Sequence, residues 1–148
     1  IGYMVIPEHL MMPIKKVQDT NLICPPVISQ YAALGALTAG KSYCQHYLAE
    51  IAQVRTVVAE QLQSIKDICA IAPAHGAFYF LLKIDTKLND FELVKQLIEQ
   101  DKVAAIPGST FGMKDGAYLR VAYGSLDLAT AKAGIERLTK GLARVVSS

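Results

Sequence analysis

The chain has 148 residues, 52% of them hydrophobic and 19% charged, which is too apolar for a disordered segment and long enough for one ordinary domain or a domain plus part of another. A formal charge of +2, with Lys15-Lys16 the longest basic run, argues against nucleic acid and anionic membrane as partners. Three cysteines without a C-x-x-C pair indicate neither a disulfide framework nor a zinc site, so a reducing, cytoplasmic setting is the simpler reading.

Ile1 to Pro7 read as a strand already under way and lack the pattern of a signal peptide. The chain therefore reads as a piece of a longer protein. Leu10, Ile14 and Val17 then recur at helical spacing. Cys24-Pro25-Pro26 breaks that helix, because proline donates no backbone hydrogen bond and restricts its predecessor. Ser29 is the candidate N-cap of a second helix, which Gly40 ends.

The strongest period runs through Cys44, Leu48, Ile51, Val54, Val58, Leu62 and Ile65, one long helix over about 41–66. Two strands are expected next, 68–72 and 76–84, joined through Pro73 and Gly76. Asn89 or Asp90 caps a helix carrying Phe91, Val94, Leu97 and Ile98, and a short strand over 103–106 is closed by Pro107. After a glycine-rich loop over 107–116 comes a strand over 117–123, with Tyr118, Arg120 and Ala122 on one face. Ser125 is the expected N-cap of the last helix, along which Leu128, Ala131, Ile135, Leu138, Leu142 and Val145 recur.

From about residue 41 the order is helix, strand, strand, helix, strand, strand, helix. This is an α+β unit with a mostly antiparallel sheet covered by helices. Residues 1–40 contribute one strand and two helices without a sheet of their own. A compact chain of this mass exposes roughly 7,400 Å². The longest apolar run, Gly76 to Leu82, falls well short of the roughly eighteen residues a membrane span needs.

Arg120 is the most informative residue. A guanidinium in the middle of Tyr118-Leu119-Arg120-Val121-Ala122-Tyr123 needs solvent or an anion. It is either a surface or ion-paired structural arginine or a planar clamp for a substrate carboxylate. The 107–112 loop lacks both common phosphate-loop spacings, so an ordinary shaped loop is the simpler reading. Gly124-Ser125 lacks the G-x-S-x-G of a serine nucleophile, and His9, His46 and His75 are isolated from acidic partners. Gly76-Ala77-Phe78-Tyr79 forms a pocket wall or fills a core, with the core favoured, and Met11, Met12, Tyr43 and Tyr47 read as packing residues.

Several segments in order resemble one family, the class I/II aminotransferases of the fold type I pyridoxal phosphate enzymes. Ile1-Gly2-Tyr3 resembles the tail of that family's lysine-region motif, and Ser29-Gln30 with Ala32-Ala33 its next helix. Gly76-Ala77-Phe78-Tyr79 resembles its G-[AG]-F-[YF] strand. Pro107-Gly108-Ser109-Thr110-Phe111-Gly112 resembles its P-G-x-x-F-G loop, and Tyr118 to Tyr123 its arginine strand.

The resemblance implies the C-terminal part of a pyridoxal 5'-phosphate-dependent enzyme, a transferase of amino groups between an amino acid and a 2-oxo acid and homodimeric when complete. Arg120 would bind the substrate α-carboxylate. Residues 1–40 would be the trailing strand and helices of the large cofactor domain, and 41–148 the small domain, with 41–66 a linking helix. The Schiff-base lysine would lie upstream of Ile1, so no catalytic or cofactor-binding residue is assigned within the chain. The segments around Gly112 and Arg120 most resemble bacterial aspartate-type enzymes. A β-lyase of the same fold and an aminotransferase-like effector domain of a transcription regulator remain as alternatives.

Overall fold

A computed structural model describes residues 1–147. The chain divides into two compact units, Ile1–His46 and Tyr47–Ser148.

In the first unit, residues 1–7 form no strand, contrary to expectation. Their composition suits a strand, but a strand also needs a hydrogen-bonded neighbour. A short helical turn, Glu8–Leu10, leads into α1, Met11–Asn21. Ile23 takes a left-handed conformation (φ 64°) just before the Cys24-Pro25-Pro26 break. Helix α2, Val27–Ala39, begins two residues before the expected cap: Pro26 occupies the N-cap, and the Ser29 amide donates to the Pro26 carbonyl. Proline suits this position because it has no N–H of its own to place. Gly40 ends the helix as expected. No residue of α1 or α2 is buried. Met11 and Met12 are exposed, as are Tyr43 and Tyr47 near the unit boundary, so none of the four packs into a core within the described residues, contrary to the packing role expected.

Helix α3, Ser42–Leu62, crosses the boundary and continues into a helical turn, Gln63–Ile65. Its buried residues, Val54, Val58 and Leu62, are the C-terminal half of the expected stripe. Strands β1 (Cys69–Ile71), β2 (Tyr79–Ile84), β3 (Ile106–Pro107) and β4 (Ala117–Ala122) form one antiparallel sheet in the order β1-β2-β4-β3.

Helix α4, Asp90–Asp101, separates β2 from β3, and Asn89 caps it by accepting the Glu92 amide at 2.9 Å. It buries Leu93, Val94 and Leu97, whereas Phe91 and Ile98 stand exposed, a correction to the expected stripe. Strand β3 begins later than expected because residues 102–103 finish α4. Lys102 turns left-handed and the Val103 amide returns to the Leu97 carbonyl.

Helix α5, Leu128–Val146, is capped by Asp127 rather than Ser125. The Asp127 carboxylate accepts from the Thr130 amide at 2.9 Å and the Thr130 hydroxyl at 2.6 Å.

The period-2 alternation of β2 and β4 decides where the core lies. Phe80, Leu82 and Ile84 on β2 and Ala117 and Leu119 on β4 are buried with the inner faces of α3, α4 and α5. Burying each such large apolar side chain contributes about 1.5–3 kcal/mol. The alternate residues, Tyr79, Leu81 and Lys83 on β2 and Tyr118, Arg120 and Ala122 on β4, point to the opposite face. Arg120 therefore stands on the face turned away from this core.

Candidate functional site

Arg120 lies at the centre of the open face, paired with Leu81 of β2 on one side and Ile106 of β3 on the other. It is half-buried. Its guanidinium carbon is 4.2 Å from the Tyr79 ring centroid and 5.3 Å from that of Phe111. Both distances are within cation–π range. Its Nε is buried without a hydrogen-bond partner, and no salt bridge joins Arg120 to a carboxylate among the described residues. The arginine is thus held by aromatic faces, which leave a guanidinium's donors in its own plane open to an anion.

Tyr79 and Phe78 are 37% and 51% exposed, so this aromatic pair does not fill the core as the sequence reading favoured. Tyr79 instead lies against Arg120. Phe78 packs beside Gly124, where an added Cβ would come within 2.6 Å of the ring. Tyr123 fixes this end of the sheet: it is buried, its amide donates to the Phe78 carbonyl at 2.9 Å, and its hydroxyl donates to the Ala77 carbonyl at 3.3 Å. On the helix side, the Arg55 side chain donates to the Ala74 carbonyl in the turn before β2 and lies over Phe80.

Phe111 reaches Arg120 from a helical turn, Gly108–Phe111, that follows β3. Gly108 allows the close approach, since a Cβ there would lie 2.4 Å from the Tyr118 Cβ. Gly112, at φ 84°, reverses the chain in a conformation that favours glycine. The amide of Ser109 donates to Asp90 at 2.7 Å, and those of Gly112 and Met113 donate to carbonyls within the turn. These three amides are therefore already engaged and not free for an anion.

Among the described residues, no group of three or more His, Cys, Asp or Glu side chains is placed to hold a metal, and no helix is long and apolar enough to cross a membrane. Lys83, the one lysine among the strand residues of the open face, holds its ammonium 5.6 Å from the Tyr118 ring centroid. The guanidinium of Arg120 is thus flanked by aromatic rings, and its Nε has no hydrogen-bond partner.

The sequence singled out Arg120 but not the groups around it. Asp90 and Ser109 are nineteen residues apart, and their contact follows from the sheet order rather than from any motif. Phe111 carried a signal as the aromatic member of Pro107 to Gly112, without an indication of what its ring covers.

The family model for aminotransferase class I and II matches residues 1–138. The chain is 32% identical over 145 residues to an aspartate aminotransferase of Thermotoga maritima, covering 98% of this chain and 34% of that protein. It is 30% identical over 146 residues to an aromatic aminotransferase of Arabidopsis thaliana, covering 96% of this chain and 36% of that one. A crystal structure of an aminotransferase from Mycobacterium tuberculosis superposes with a TM-score of 0.78 at 26% identity, over 94% of this chain and 36% of that one. The chain therefore spans about a third of the length of the curated relatives it matches.

Proposed function

The chain belongs to the class I and II aminotransferases, and we propose that it is the carboxylate-binding part of a longer enzyme that moves an amino group between an amino acid and a 2-oxo acid. Aspartate is the first donor to test, from the likeness to the Thermotoga maritima enzyme. Residues 1–40 belong to the large domain of that enzyme, 41–148 form its small domain, and 41–66 link the two. The complete enzyme is a cytoplasmic homodimer.

The observation that carries this reading is Arg120 itself: a half-buried guanidinium against the rings of Tyr79 and Phe111, with no carboxylate partner among the described residues. Every α-amino acid and 2-oxo acid carries the one group this arrangement suits. A carboxylate bound by two parallel N–H donors has its plane fixed, and with it the orientation of the neighbouring carbon. The aromatic faces restrict the guanidinium to a narrow set of orientations and shield part of it from water, which strengthens a charge-assisted hydrogen bond.

Pyridoxal phosphate, on which the family depends, supplies the electron sink for the reacting carbon. The part of Arg120 and the rings around it in that reaction is to bind and orient the substrate.

The test is product analysis on the full-length enzyme with aspartate and 2-oxoglutarate. Formation of oxaloacetate and glutamate supports the proposal. Pyruvate and ammonia from a cysteine conjugate, without amino transfer, would assign a β-lyase instead. Arg120→Leu should lower kcat/KM about ten- to two-hundred-fold for every amino acid tried, without changing which side chain is preferred.

A further inference from the structure

Asp90 is the first residue of α4, yet it does not cap that helix, because Asn89 does. It is 6% exposed, and a carboxylate at that depth needs strong partners. Both of its oxygens are directed at one residue nineteen positions away. Oδ2 accepts the Ser109 amide at 2.7 Å, and Oδ1 accepts the Ser109 hydroxyl at 2.9 Å. Ser109 lies in the turn that ends at Phe111, the residue whose ring covers Arg120. The turn is fixed on its other flank by Gly108 against Tyr118, the strand neighbour of Arg120 once removed. It is closed by the Met113 amide donating to the Gly108 carbonyl at 3.3 Å.

Each link from Asp90 to the guanidinium is thus a named contact: Asp90 holds Ser109, Ser109 lies in the turn that carries Phe111, and the Phe111 ring lies 5.3 Å from the guanidinium carbon. Without the carboxylate, the Ser109 amide and hydroxyl lose their partner, and the ring loses the support that keeps it over Arg120.

We propose that Asp90 is a positioning residue for substrate recognition, holding Phe111 over Arg120 through Ser109 and so fixing the plane in which the guanidinium meets a carboxylate. This rests on the reading of Arg120 as the α-carboxylate clamp. Asp90 itself touches no substrate.

The experiment compares, in the full-length enzyme with its cofactor, kcat/KM for an amino acid with kcat/KM for the amine left when its α-carboxylate is removed. Asp90→Ala should lower the ratio of the two about tenfold, with the amine rate within about twofold of the parent. Asp90→Asn should restore most of the ratio, since an amide can accept from the Ser109 amide and donate to its hydroxyl. Phe111→Ala should reproduce the Asp90→Ala loss, and the double variant should cost no more than the larger single loss. Hydrogen exchange of the 109–113 amides should quicken in Asp90→Ala.

An unchanged ratio in Asp90→Ala, beside a collapsed ratio in Arg120→Leu, overturns the positioning role and leaves the carboxylate clamp standing. An unchanged ratio in Arg120→Leu removes the clamp and this proposal with it. Should Asp90→Ala fail to fold, Ser109→Ala decides the matter: a loss of about threefold in the ratio supports the proposal, and no loss overturns it.

Discussion

Tyr79 and Arg120 sit diagonally across the β2–β4 ladder. Tyr79 is paired with Ala122 and Arg120 with Leu81, so the tyrosine ring leans two residues along the sheet to lie 4.2 Å from the guanidinium carbon. Diagonal neighbours on one face are within reach of aromatic side chains. At a half-exposed site such a contact contributes about 0.5–1 kcal/mol. Tyr79→Leu should therefore lower kcat/KM for amino acids about two- to fivefold in the full-length enzyme, and Tyr79→Phe should retain the parent value. Steady-state kinetics on the two variants separates a ring effect from a hydroxyl effect.

Two glycines should respond in opposite directions to the same added methyl group. Gly108→Ala places a Cβ 2.4 Å from the Tyr118 Cβ, an overpacking that costs about 1–3 kcal/mol. Gly134 lies within α5 with nothing within 4 Å of an added Cβ. Gly134→Ala should stabilise by about 0.5–1 kcal/mol through helix propensity. Denaturant midpoints measured on both variants give the signs directly.

Cys69 is buried in the core, and burial pushes its thiol up from an ordinary 9.0 to about 11. The unfolded chain releases this proton near the ordinary value, whereas the folded chain retains it. The thiol's contribution to stability is therefore full below about pH 9 and is lost as the pH rises toward about 11. Cys69→Ala should flatten the stability profile in that window. In the native chain an alkylating reagent at neutral pH should label the exposed Cys24 and Cys44 well before Cys69.

The sheet and its helices were legible because their signals are local and repeated. The periods in α3 and α5 and the alternation in β2 and β4 each contain several mutually consistent positions. The errors fell where a single residue had to decide between local options. Ser125 and Asp127 are both good caps, and the choice went to Asp127 because Thr130 stands three residues beyond it. Ser29 lost to Pro26, which opens α2 without any side-chain bond. Ile1 to Pro7 show how strand composition without a partner strand gives no strand. Arg120 was conspicuous as a charge among apolar residues. Its links to Tyr79, Phe111 and, through Ser109, Asp90 depend on tertiary proximity, which no spacing in the sequence encodes.

In the first unit Tyr3, Val5, Ile28 and Leu37 are each at least 80% exposed. Apolar surface of this extent marks an interface. The isolated chain should bind a hydrophobic dye or associate beyond a dimer at micromolar concentration, whereas the full-length homodimer should do neither. A monomer that binds no dye, with residues 1–40 as well protected from hydrogen exchange as 47–147, would contradict the assignment of 1–40 to a larger domain.

The most direct measurement for the carboxylate clamp is the position of a bound amino acid in the full-length enzyme. The proposal predicts both carboxylate oxygens about 2.7–2.9 Å from two guanidinium nitrogens of Arg120, with the Tyr79 and Phe111 rings still on its faces. A carboxylate resting on another cation, with Arg120 bound only by its two rings or paired with a protein carboxylate, would contradict it.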